Sequence, residues 1–296
     1  MNSSTQSLLL ALTLALGTQA APVQDDRPPT EPPPPDFRLE PLTTRYARTA
    51  TKITINSSIR YFEGMDLQEA DHVDGYTADV ELTVPFLKRF QIRLYYPFYT
   101  EGEARLTDAG DPLEGTTIDI EGDGGIFDFP SANLDVQILK PDSPHGLNLS
   151  AFAGYGMVLE SLETSVDDLY NHKGKVVLFG VRADKTFTER LTGIANVGGR
   201  YYYQSDDLNP GADDDDDVFL FMDASAAVVY ELCAQRVYPA LELVYQGDLD
   251  TYNNIHLDPQ VIFPICSNFE LKAGAGVGLN DDGERWFARL QGALRF

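Results

Sequence analysis

After the first twenty residues, no stretch approaches the roughly 18 to 20 consecutive apolar residues that a membrane-crossing helix needs, so any crossing must be made by strands. Basic residues are scarce, with 22 Lys and Arg against 46 Asp and Glu and a net charge of -24. Phosphate repels such a chain, which argues against nucleic acid as a partner. Cysteine occurs only at Cys233 and Cys266, and histidine four times. Neither shows metal-ligand spacing, and there is no phosphate-binding glycine loop and no dinucleotide fingerprint, so no metal and no cofactor are expected. No helical period runs for more than a turn or two.

What is present begins with a short apolar run, Leu8 to Leu16, followed by the small residues Ala20 and Ala21. This is the layout of an export signal, residues 1–20, cleaved near Ala20, although its leading segment contains no Lys or Arg. Eight of the 18 prolines then fall between Pro22 and Pro41. Proline removes donors and favours extended conformations, so residues 21–50 are expected to form a mobile or semi-rigid periplasmic linker rather than a packed element.

From about residue 51 apolar and polar residues alternate, the period of a two-faced strand. Ile53, Ile55 and Ile59 alternate with Lys52, Asn56 and Arg60, and Trp286, Ala288, Leu290, Leu294 and Phe296 alternate with Arg285, Arg289 and Arg295. Carried through 51–296, the pattern predicts about twelve strands: 51–62, 75–87, 89–102, 127–140, 146–160, 174–187, 190–205, 217–232, 235–250, 254–265, 268–281 and 284–296. Each is long enough for the roughly 9 to 11 residues that a tilted strand needs to cross a bilayer. Odd-to-even connections are mostly long, and even-to-odd ones are short. Acidic residues crowd the long connections, which include Asp213 to Asp217, while Lys88, Arg89, Lys140, Lys185, Arg190 and Arg236 sit in the short ones. The expected fold is therefore all-β: a closed, antiparallel, up-and-down transmembrane barrel in the outer membrane of a Gram-negative-type cell, with both termini periplasmic.

Charged side chains cannot face lipid cheaply, where Arg or Lys costs roughly 2–4 kcal/mol at the midplane, so they are assigned to the lumen. The lumen-facing set is Lys52, Arg60, Asp79, Glu81, Arg89, Arg93, Asp135, Arg182, Asp184, Arg200, Asp223, Glu242, Asp258, Glu270, Lys272, Arg285, Arg289 and Arg295. Its charges nearly balance. Pairing of the first and last strands brings Lys52, Arg60, Arg285, Arg289 and Arg295 together, either as a basic patch attractive to anions or as a patch neutralised by neighbouring carboxylates. A twelve-stranded lumen is narrow, and the glycine-rich connection 103–126 is the candidate constriction. Cys233 and Cys266 fall in turns on one rim and are a candidate disulfide. The expected role is a channel or uptake pore for small solutes. The alternatives are a surface-interaction barrel with acidic loops and a lipid-modifying enzyme using His256, near Asp258, with a nearby serine.

The last strand, RWFARLQGALRF, ends on Phe296 with Trp286, Leu290 and Leu294 on one face, and it resembles the insertion signal that outer-membrane barrels present to their assembly machinery. YPALELVYQGDL (238–249), IHLDPQVIFPICSNFELKAGAGVGLNDD (255–282) and that strand resemble the transporter-like family labelled "MetA-pathway of phenol degradation". The resemblance covers about the final sixty residues. It implies an outer-membrane channel or transporter for small organic compounds and supplies no site residues. Expected partners are outer-membrane lipid and lipopolysaccharide, the barrel-assembly machinery and an unnamed small solute.

Overall fold

The computed structural model describes residues 39–67, 70–106, 115–122, 129–140, 145–158, 162–164, 174–203, 218–233, 235–250, 252–280 and 282–296. The expected export signal, most of the proline-rich stretch and Asp213 to Asp217 lie outside the described residues.

The described residues form fourteen strands: β1 (Thr54–Leu67), β2 (Ala70–Phe86), β3 (Phe90–Leu106), β4 (Thr117–Gly122), β5 (Ser131–Leu139), β6 (Leu147–Val158), β7 (Leu162–Thr164), β8 (Gly174–Thr188), β9 (Leu191–Tyr203), β10 (Val218–Tyr230), β11 (Tyr238–Gly247), β12 (Asn253–Cys266), β13 (Phe269–Gly278) and β14 (Trp286–Arg295). Twelve of them, all but β4 and β7, form a closed antiparallel barrel. The wall closes where β1 pairs with β14, from Thr54↔Arg295 to Glu63↔Trp286, so every barrel strand has two neighbours and the barrel has no open edge. The shortest barrel strand, β5, has 9 residues, at the lower limit for a tilted crossing.

The expected strands and the observed barrel strands agree in number and order, but β1 and β2 run on to Leu67 and from Ala70 through the stretch 63–74 that reads as a long loop, and two further strands are added. The stretch 103–126, expected to fold inward as a constriction, instead extends the wall where it is described. β4 pairs with β3 from Thr100↔Gly122 to Arg105↔Thr117, and β7 pairs with β4. The cause is local: Met65, Val73, Ala104, Ile118 and Ile120 give these extensions a buried apolar side, which a solvated loop would lack.

The connections 87–89, 189–190 and 267–268 all fall on one rim, here the turn side; the opposite rim, here the loop side, holds the longest connections together with the short β1–β2 one. Thr54 and Arg295 both lie at the turn side. The outer surface is an apolar belt, with Ile59, Leu134, Val181, Val197, Val228, Leu243 and Leu290 all exposed. Aromatic rings border it. Tyr61 stacks obliquely on Tyr76 (4.9 Å) and Trp286 (5.2 Å) toward the loop side, and Phe86 stacks on Phe90 (5.7 Å) at the turn side. Such girdles sit at headgroup depth in a bilayer.

Candidate functional site

The lumen is the site, and residues 39–50 occupy its turn-side half. For residues 39–50 this corrects the expectation of an unpacked tether. Glu40, Leu42, Thr44, Tyr46, Ala47 and Ala50 are all buried. Their partners lie on strands all round the barrel, and only a segment inside it can reach them together.

A buried irregular segment must satisfy its own backbone, since an unpaired N–H costs roughly 1–3 kcal/mol. Here every N–H from Leu42 to Ala50 ends on a side-chain oxygen. Gln260 accepts from Leu42 (2.9 Å), and Glu242 accepts from Thr43 (3.1 Å) and Thr44 (2.6 Å). Asn196, with its amide turned so that each end meets its complement, accepts from the Arg45 N–H (2.7 Å) and donates to the Arg45 carbonyl (2.8 Å). Glu40 accepts from Tyr46 within the segment (3.2 Å). Asp184 takes Ala47 (2.8 Å) and Arg48 (3.1 Å), Gln137 takes Thr49 (3.4 Å) and Gln91 takes Ala50 (2.8 Å). The wall acceptors follow the order β12, β11, β9, β8, β5, β3. The segment therefore runs round the inside of the wall before entering β1.

Ion pairs add to this. Arg45 meets Glu81 (3.4 Å), Arg48 meets Asp184 (2.8 Å) and Glu40 meets Arg93 (3.1 Å). Leu39 and Tyr46 pack against Ile194, Ala227, Val229, Tyr238, Ala240 and Ile262 on the inner wall. Room for Leu42 comes from Gly274, where an added Cβ would lie 2.7 Å from the Leu42 side chain. The Gly-rich strand β13 is thus shaped around the segment.

Above this filling, toward the loop side, lies a cavity of about 240 Å³. Thr43 and Arg45 line it from the filling; Tyr95, Phe129, Phe152, Leu178, Arg182, Arg200 and Asp223 are among the wall residues that enclose it. Arg200 holds Asp223 with two nitrogens at 2.7 Å each, and Phe129, Tyr202, Phe221 and Tyr252 pack together nearby.

Of the residues assigned to the lumen, Asp79, Glu81, Arg93, Asp135, Arg182, Asp184, Glu242, Asp258, Glu270, Lys272 and Arg295 are buried. Arg60, Arg200, Asp223 and Arg289 are half-buried. Three are misplaced. Arg89 is exposed in the β2–β3 turn, Lys52 precedes β1 and reaches Asn268 at the turn-side rim, and Arg285 is exposed in the β13–β14 connection against Gly64. Alternation assigns a face only inside a strand; at a rim both faces meet water. The seam arginines do not form an open basic patch. Arg60 pairs with Glu284 (2.6 Å), Arg289 with Asp79 (3.2 Å) and Arg295 with Glu270 (2.8 Å).

The insertion-signal residues Trp286, Leu290 and Phe296 face outward, and Leu294 is half-buried on the same face. Cys233 and Cys266 are free and exposed, so the expected bridge is absent. Cys233 bridges Val237, which places it on the β10 arm of its hairpin. The β11 backbone then lies between it and β12, a separation of two strand spacings, roughly 9–10 Å, beyond the roughly 4.4–6.8 Å between Cα atoms that a disulfide spans. His256 turns Nδ1 to Asp258 (2.6 Å) and its ring sits edge-on to Phe287 at 5.3 Å.

Sequence reasoning missed Leu42, Thr44, Tyr46 and Ala47. The available signal was the composition change after Pro41, where the prolines stop and apolar residues return.

No family model matches the chain, and no curated protein matches it in sequence. Solved structures do match. The COG4313 outer membrane channel from Pseudomonas putida F1 is 11% identical, with a TM-score of 0.59, over 87% of this chain and 100% of that one. The transport unit of the autotransporter AIDA-I from Escherichia coli has a TM-score of 0.57 at 11% identity, over 88% of this chain and 93% of its own. The translocator domain of the autotransporter NalP from Neisseria meningitidis has a TM-score of 0.53 at 11% identity, over 83% and 89%. At this identity the likeness shows a shared fold, that of outer-membrane β-barrels.

Proposed function

We propose that the protein is an outer-membrane channel for small solutes, closed on its turn side by its own residues 39–50, and that passage requires this segment to shift. The observation that carries the reading is the division of the lumen. Its loop-side half is a hollow lined by polar and aromatic groups, and its turn-side half is filled by a segment held through side-chain hydrogen bonds, not by strand pairing. A barrel built only for structure has no need of a hollow half. The likeness in fold to an outer-membrane channel supports the reading, as does the resemblance of the last sixty residues to the transporter-like family, to which we assign the chain as part of this proposal. In this reading the loop side faces outward and the turn side faces the periplasm. Export uses residues 1–20, the apolar belt meets lipid and lipopolysaccharide, and the last strand engages the assembly machinery.

Planar-bilayer recording tests the function. Stable single-channel steps are expected, larger or more frequent when Glu242 and Asp184 are both replaced by Ala. A sealed membrane with both proteins would favour the surface-interaction reading, for which the nine satisfied N–H groups of the filling already speak.

A further inference from the structure

The hollow half of the lumen contains a guanidinium that the wall leaves underused. Arg182, on β8, lines the 240 Å³ cavity and is 7% exposed. Its Nη1 meets Asp135, but Arg93 donates to the other oxygen of that carboxylate at 2.7 Å, so one acid serves two arginines. Among the described residues nothing else accepts from Arg182. Arg200, on the adjoining β9 and nearer the loop side, differs in having Asp223 bound by two nitrogens.

The Arg182 group is also held in place. Its carbon Cζ lies 4.1 Å over the centre of the Phe152 ring. That ring occupies space left by two glycines; a Cβ on Gly180 or Gly198 would stand 2.6 or 2.9 Å from it. A fixed apolar platform thus carries a guanidinium with donors to spare, which is how planar bidentate recognition of a carboxylate is built.

We propose that this corner binds a small organic carboxylate, with its carboxylate on Arg182 and its apolar body along Phe152 and Leu178. Three arginines, Arg45, Arg182 and Arg200, line the cavity and oppose a cation, while Asp223 disfavours a second negative charge on the ligand. The volume lies below the roughly 300–1,000 Å³ of sites for drug-sized ligands, so the ligand is small. The site deepens the channel reading and rests on it for delivery of the solute.

Calorimetric titration of the full chain, purified from membranes in detergent, tests the proposal with benzoate, acetate and benzylamine as probes. Saturable one-to-one binding of benzoate is expected, weaker binding of acetate and none of benzylamine. Arg182→Gln should weaken benzoate about tenfold or more, Arg182→Lys less, and Phe152→Leu severalfold, each in protein whose heat-modifiable migration shows a folded barrel. If Arg182→Gln fails to fold, Phe152→Leu and the probe series decide. Benzylamine binding as well as benzoate, no saturable benzoate binding, or unchanged affinity in a folded variant would overturn it. Conductance is measured separately, so a barrel that binds without conducting is distinguished from one that conducts without binding.

Discussion

The two halves of the lumen use the same kind of wall for opposite ends. In the turn-side half, Glu242, Asp184, Gln260, Gln137 and Gln91 point inward and spend their oxygens on the backbone of residues 42–50. In the loop-side half, inward groups pair with one another or with aromatic rings and leave a hollow between them. Inward acids in a barrel are easily taken as a sign of ion selectivity. Here those near the turn side are mainly acceptors for a resident peptide.

The comparison breaks most visibly if the filling is removed. Deleting 39–50 should give the largest rise in single-channel conductance, together with the largest loss of stability, because Glu242 and Asp184 would remain with fewer donors. A less drastic version is Glu242→Ala. Glu242 is fully buried and accepts from Thr43, Thr44 and Gln260. Two orphaned N–H groups should lower stability by about 2–5 kcal/mol, read as a urea midpoint shift, and Glu242→Gln should cost less because one acceptor survives.

A pair of glycine substitutions sharpens the contrast. In Gly274→Ala the new methyl meets Leu42 and Gln260 at 2.7–2.8 Å, so the filling should loosen and conductance rise. In Gly156→Ala it runs into the Phe129 ring, so the hollow should deform while the filling stays. Each change should cost about 1–3 kcal/mol. Equal conductance changes in the two variants would remove the distinction between the halves.

A smaller effect is expected with pH. Burial pushes the Glu284 carboxyl up, but the Arg60 guanidinium, with help from His256, outweighs it and holds the group below the usual carboxylate range. A depressed folded value means that its stabilisation is complete above the ordinary carboxylate pKa and is lost as pH falls toward the lowered one. Heat-modifiable migration should therefore weaken in acid below about pH 4.5, and less steeply in Glu284→Gln. The smallest effect belongs to the β2–β3 turn, where Lys88 holds a left-handed φ of 61°. Lys88→Gly should stabilise by about 1 kcal/mol without altering conductance.

Much of the fold was legible because a membrane wall imposes a strict period of two. Ile55, Ile59 and Leu290 had to face one way and Asn56, Ser58 and Gln291 the other, and the structure buries the latter three. The rims were less legible, since Lys52, Arg89 and Arg285 continue the alternation where no lipid enforces it. The hairpin of β3 and β4 escaped because its buried isoleucines, Ile118 and Ile120, lie in a glycine- and acid-rich stretch that reads as loop.

The filling was invisible for a different reason. Nothing in Leu42–Ala50 has a period, and the wall side chains that accept from its backbone run from Gln91 to Gln260, distant in sequence and adjacent only once the wall has closed. The chain alone therefore determined a twelve-stranded barrel with an apolar outside and a charged inside, because lipid on one face and paired backbone within the wall allow little else. Which acids would anchor the filling, which arginine would be left underused and where the hollow would lie were decided by closure, which brings side chains from opposite strands to within hydrogen-bonding reach.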